Sequence, residues 1–204
     1  ITWTLTVYAA CQFVAAPLWG RVSDRYGRRP VLIIGLVGAC IGYLILAYAT
    51  SMTGLYVSRI VGGLMAGNIS AAFAYAADVS KPADRAKSLG MIGAAIGIGF
   101  MLGPAMGGAL AGSSAATANF MRPAFVSCGL AIVAMLLVIF VLPESRSVEQ
   151  RIAGAAHLDK RSPFALLAAL PRLRRIMMAA VLVISAQAIL ESISALWAFK
   201  RFGF

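Results

Sequence analysis

Charge is what this sequence has least of. Only 12% of its 204 residues are Asp, Glu, Lys or Arg, against roughly 25% in soluble domains. Acids are scarcer still, 7 against 18 basic residues. Histidine occurs once, at His157, in a polar stretch. The three cysteines, Cys11, Cys40 and Cys128, stand far apart, each inside an apolar run and with no CxxC spacing. That distribution excludes a disulfide framework and a His/Cys metal cluster, so no metal site is expected, and the cysteines read as small buried hydrophobes. There is no Ser/His/Asp set and no pair of carboxylates within the apolar runs, so an enzyme is not expected. There is no G-x-x-x-x-G-K-[ST] loop, which argues against an ATP-driven machine. Ile1 is not preceded by a basic stretch, and Phe204 closely follows an apolar run. The expectation is an internal piece of a longer chain without a signal peptide.

What is abundant is apolar surface: 61% hydrophobic residues and a mean hydropathy of +0.87. A soluble chain of this size has too little interior to hide that much. The class is therefore a polytopic membrane protein, all-α, because a segment crossing lipid must satisfy its own backbone. Six runs reach the ~20 residues needed to span the hydrocarbon: Thr2–Gly20, Pro30–Ala49, Thr53–Ala77, Ser88–Gly112, Asn119–Leu142 and Ile176–Phe199. They predict about six transmembrane helices.

The connections alternate in charge. Gly20–Pro30, Val79–Lys87 and Pro143–Arg175 carry fourteen of the eighteen basic residues, whereas Thr50–Thr53 and Ser113–Ala118 carry none. The positive-inside rule places 21–29, 79–87 and 143–175 in the cytoplasm. The basic residues are thus topology signals with some affinity for anionic lipid, and no nucleic-acid partner is expected. The longest connection contains Ser162-Pro163 before an apolar stretch, an N-cap and N1 proline that predict a short helix on the membrane surface. Its length suggests a boundary: residues 1–142 as one bundle, 143–175 as the loop between bundles, and 176–204 as the first helix of a second bundle.

Four constellations carry chemistry. The first is the hinge from Gly20 to Leu32, where Gly20 is expected to allow close backbone approach. Asp24 is expected to end the incoming helix, Gly27 to permit the turn, and Arg28 and Arg29 to cap the crossing, with Arg21 and Arg25 alongside. The second is Arg59 with Gly62, Gly63 and Gly67. A guanidinium inside an apolar run is a functional candidate by default, although near the outer interface it could simply snorkel. Asn68 and Gln12 either line a cavity or bond a neighbouring helix. The third is Gly90-x8-Gly99-x3-Gly103-Pro104-x2-Gly107-Gly108, a smooth, kinked helix face that is either ordinary small-residue packing or a surface for sliding. Its glycines miss the nucleotide-binding spacing, since Leu102 stands where a third glycine is needed. The fourth is Gln187 with Glu191, four apart on one helical face. Desolvation favours the neutral form of an intramembrane carboxylate, so Glu191 could carry a proton or contact a cationic substrate. The alternative is an interfacial acid near Lys200 and Arg201.

The hinge pattern G-x-V-S-D-R-x-G-R-R-x-x-L closely resembles the signature loop between the second and third helices of the major facilitator superfamily. Only Val22 varies, from the usual leucine. R-I-V-G-G around Arg59 is similar to the superfamily's second signature, and the Gly90–Gly108 pattern to the fifth-helix signature of its antiporters. Y-V-S-R-I-V-G-G, A-Y-A-A-D, L-P-E-S and A-L-W extend the resemblance, from Ile1 to Phe204, to the drug:proton antiporters and their tetracycline-efflux branch. It implies helices 2 to 7 of a major-facilitator-type bundle, with helix 1 and those after 7 absent. It also implies an arginine, here Arg59, linked to proton transfer, and an ion pair between Arg28 and Asp78 at the cytoplasmic boundary that, with Asp24, latches one state. The implied activity is export of a drug-like small molecule in exchange for protons, from a bacterial inner membrane. The implied protein is monomeric and uses no cofactor beyond the proton gradient. An uptake carrier for a metabolite is the alternative, and a non-transporting receptor or scaffold the alternative of another class. Two departures from the tetracycline branch alter the cavity's charge: Gly42-Tyr43 lacks the acid usual before that tyrosine, and Glu191 stands where glutamine is usual.

Overall fold

The structure, a computed structural model, describes residues 2–112, 119–145, 171, 174–175, 177–179 and 181–189. The chain divides into two compact units, Trp3–His157 and Leu158–Phe204. Among the described residues the first contains six helices in sequence: α1 (Thr2–Tyr26), α2 (Arg28–Ala47), α3 (Met52–Leu64), α4 (Asn68–Val79), α5 (Arg85–Ala111) and α6 (Met121–Val141). Described residues of the second unit, 174–175, 177–179 and 181–189, are helical. The predicted surface helix at Ser162-Pro163 and the end of the last apolar run, including Glu191, lie outside the described residues.

Among the described residues, four stretches are long and apolar enough to cross a bilayer: α2, α5, α6, and α3 with α4 taken together as Met52–Val79. Large side chains such as Phe100, Phe13 and Phe140 point outward, the surface expected of a molecule whose solvent is lipid. α2 is the central element and packs on α6, α3 and α4. Its helix–helix seams are built by small residues, because lipid gives apolar side chains no reason to leave it and close packing must hold the helices together. A Cβ added at Gly35 would fall 2.9 Å from Asn68 Cβ and 3.1 Å from the Met65 carbonyl oxygen, and one at Gly38 would fall 2.3 Å from Met65 Cγ. At the basic end of the bundle, Val31, Leu32 and Ala71 form a buried core, covered by Trp19, Val22, Val138 and Leu142.

Three sequence expectations need correction. Asp24 does not end the first helix: α1 runs to Tyr26 and the turn is a single residue, Gly27, at φ 108° and ψ 163°. That backbone region is open essentially to glycine alone, so one residue suffices where a longer loop was expected. Gly20 makes no close approach, since nothing lies within 4 Å of a Cβ built there. The third apolar run is not one helix. It breaks at Met65–Gly67, between α3 and α4. Trp19 holds the break: its indole N–H donates to the Leu64 carbonyl at 2.6 Å, and its ring lies so close over Gly67 that a Cβ there would sit 2.1 Å from it.

Candidate functional site

The hinge brings four of the sequence candidates into one network. Because the turn is a single residue, Arg28 starts α2 directly against the last turn of α1. Its guanidinium pairs with Asp24 at 2.8 Å and with Asp78 at 2.9 Å, and Nη1 donates to Ser23 Oγ at 3.1 Å. Asp78 comes from the far end of α4, 50 residues away. Arg28 is 6% exposed and Ser23 1%. The arginine is therefore buried, whereas its acid partners are partly exposed, Asp78 24% and Asp24 37%. Arg29 donates from Nη2 to the Ile139 carbonyl near the end of α6, where a cation also meets the negative end of the helix dipole. Arg25 lies over the Tyr26 ring, 5.5 Å from its centroid.

One residue of this network escaped the sequence reading. Gly27 offers α2 no side-chain cap, and the first turn of α2 has no acid. Its free N–H groups are served from 116 residues away: Glu144 accepts from the Arg28 N–H at 2.9 Å and from the Arg29 N–H at 3.2 Å. A carboxylate at a helix N-terminus is favoured by both the orphan donors and the dipole. The signal was present in L-P-E-S, an acid just after an apolar run, but nothing local tied it to the hinge.

Arg59 occupies a second site, towards the other end of the bundle. It is half-buried, and its Nε is fully enclosed without a hydrogen-bond partner. It lines a cavity of about 200 Å³ with Tyr8 of α1, Gly42 and Tyr43 of α2, Ser58 of α3 and Asn68 of α4. It also lines a second cavity of about 790 Å³, bounded by the α2–α3 turn, α3 and α6. None of the described residues lining either cavity is acidic. Asn68, the first residue of α4, faces the break in the third run.

The remaining candidates stand apart from these sites. Along α5, Gly90, Gly99, Gly103, Gly107 and Gly108 have nothing within 4 Å of a built Cβ. The helix is continuous through Pro104 and buries none of its residues within the described structure. Gln187 lies on the exposed surface of the second unit. Among the described residues no cluster of three or more His, Cys, Asp or Glu could hold a metal.

The described residues thus form a bundle of apolar helices around a half-buried arginine whose Nε has no hydrogen-bond partner, with a charged hinge at one end. The whole chain, residues 1–204, matches the family model of the Major Facilitator Superfamily. The chain belongs to that superfamily. It is 41% identical over 147 residues to the class C tetracycline resistance protein of Escherichia coli, covering 72% of this chain and 36% of that protein. It is 35% identical over 161 residues to Multidrug resistance protein 2 of Bacillus subtilis, covering 78% and 39%. Among solved structures, the human organic anion transporter MFSD10 superposes with a TM-score of 0.77 at 26% identity, over 100% of this chain and 50% of that one. The chain thus spans well under half the length of the curated relatives it matches.

Proposed function

We propose that this chain is part of an exporter that moves amphiphilic, drug-like small molecules out of the cell in exchange for protons, by alternating access. The observation that carries the reading is Arg59: a half-buried guanidinium whose enclosed Nε has no hydrogen-bond partner among the described residues, set between two cavities, in a chain 41% identical to a tetracycline resistance protein. An enclosed charge is costly unless function retains it. Arg59 couples the site to protonation, together with Glu191, and Asn68 and Gln187 contribute to the substrate path. Arg28, Asp24 and Asp78 latch the hinge end in one state, and the uncovered glycine face of α5 slides against a partner helix during exchange. The basic connections 21–29, 79–87 and 143–175 face the cytoplasm of a bacterial inner membrane. Residues 1–142 belong to the first bundle, 143–175 form the loop between bundles, and the second bundle starts at 176. The protein works as a monomer in lipid, performs no catalysis, and draws on the proton gradient instead of a cofactor.

The test uses inverted membrane vesicles containing the intact protein, energised to an acidic interior reported by a pH-sensitive dye. A panel of drugs including tetracycline is then added. Drug-evoked proton release, abolished by Arg59→Ala or Glu191→Gln, supports exchange and its coupling residues. Release evoked only by a polar metabolite such as a sugar or an amino acid would leave the fold and overturn drug export in favour of a metabolite carrier. Asp24→Asn with full transport at normal expression would remove the latch.

A further inference from the structure

The two cavities beside Arg59 differ in character but share a wall. Tyr43, Leu46 and Arg59 line both. The smaller, about 200 Å³, adds Tyr8, Ser58 and Asn68, groups that hydrogen-bond without carrying charge. The larger, about 790 Å³, is walled by Met52, Leu55, Phe120 and Pro123. That volume falls within the ~300–1,000 Å³ of small-molecule sites, whereas the smaller space holds a head group or a few waters. Arg59 stands at the junction as the one charged side chain among the described residues lining either space. Its enclosed Nε has no partner, and Gly42, in the wall of the small cavity, supplies no side chain to neutralise it. A partly enclosed cation with no carboxylate among the described residues lining its cavities is stabilised by an anion that reaches it, and a guanidinium fork matches a planar oxyanion in two parallel hydrogen bonds.

We propose that this junction is a binding site for an amphiphilic organic anion. Its carboxylate or sulfonate sits on Arg59 in the small polar cavity, and its apolar body fills the larger one. The assignment rests on the exporter reading and narrows its substrate class from amphiphiles in general to acidic ones. A cationic drug would meet an unshielded like charge at the same point. The preference is set by position 42. A Cβ built on Gly42 lies 3.4 Å from the Ser58 carbonyl oxygen and 3.5 Å from Gly62. This is ordinary contact, so a Cβ at position 42 needs no movement of α3.

The test is equilibrium binding to the purified intact protein, with probes that share one apolar body and differ only in the head: 2-naphthoate, 2-naphthylmethanol and 2-naphthylmethylammonium. The naphthoate should bind tightest and the ammonium weakest. Arg59→Gln should weaken naphthoate at least about tenfold while leaving the alcohol unchanged, and Arg59→Lys should retain most of the preference. Gly42→Asp, which leaves Arg59 in place and so guards against a variant that fails to fold, should reverse the order in favour of the ammonium. Equal binding of the ammonium and the naphthoate by the unaltered protein, or a naphthoate affinity indifferent to both Arg59→Gln and Gly42→Asp, overturns the proposal. The measurement needs no gradient. Arg59-dependent naphthoate binding without proton movement sinks the exporter and keeps the anion site, whereas drug-evoked proton exchange without that binding does the reverse.

Discussion

Truncating Asp78 tests whether the hinge network carries the energy its geometry implies. The Arg28 side chain is 8% exposed, Asp78 24% and Asp24 37%. Removing one partner from a fully buried pair costs about 3–5 kcal/mol, and from an exposed one at most about 1 kcal/mol. Asp78→Ala leaves Arg28 Nε without its 2.9 Å acceptor but with Asp24 still in place. Discounted for the quarter exposure of Asp78, its cost is about 2 kcal/mol. Asp78→Asn keeps an acceptor oxygen and loses only charge, which should cost about 1 kcal/mol. Arg28→Met takes the cation from both carboxylates at once and should cost most, about 3 kcal/mol. Asp24→Asn, at the most exposed member, should cost least. With about 2–4 °C per kcal/mol for a chain of this size, thermal unfolding in detergent should rank the variants in that order, Asp78→Ala falling by about 4–8 °C. If Arg28→Met unfolds at the temperature of the unaltered protein, or Asp24→Asn costs more than Asp78→Ala, the network is solvated and the reasoning fails.

Three further predictions concern packing. A Cβ at Gly63 would sit 2.6 Å from the Tyr8 carbonyl oxygen and 2.8 Å from Cys11 Cβ, so Gly63→Ala should push α1 and α3 apart and lower stability by about 1–3 kcal/mol. Gly103→Ala meets nothing and gains up to about 1 kcal/mol of helix propensity. It should unfold no earlier, and lost transport at unchanged stability would mark the α5 face as a working surface. The Cys40 thiol approaches the Cys128 carbonyl at 3.8 Å, and the Cys128 thiol the Cys40 carbonyl at 4.0 Å. Mild oxidation should therefore join the two within one chain, detected as a single linked peptide pair after proteolysis. Full alkylation of both thiols after oxidation would contradict the α2–α6 register.

The features legible in the sequence were those that lipid itself enforces. A hinge with four arginines cannot stay in hydrocarbon, and the runs on either side of it are too apolar to leave, so Arg21–Arg29 marks a turn wherever it is met. Arg59 stood out because a charge in an apolar run is expensive. What stayed hidden depends on partners distant in the chain. Met65-Ala66-Gly67 is apolar and compatible with a helix; its break becomes intelligible only beside Trp19, whose indole takes the Leu64 carbonyl. Glu144 reads as a solvated acid until the chain folds it onto the start of α2. Asp24 looked like a helix end because it precedes a glycine closely, yet Gly27 alone has the backbone freedom to make the turn. Tyr8 and Tyr43 resemble interface aromatics, and only packing puts them around Arg59.

The central claim is exchange: substrate and proton moving in opposite directions through one protein. The most direct measurement places the purified intact protein in liposomes with a pH-sensitive dye inside, no initial pH difference, and a gradient of one drug that it binds. Antiport predicts that inward drug flux drives protons out, raising internal pH, and that Arg59→Ala removes the change. Acidification of the interior as drug enters would show co-transport, and drug entry with no pH change would show uncoupled diffusion through the carrier. Either result contradicts the account.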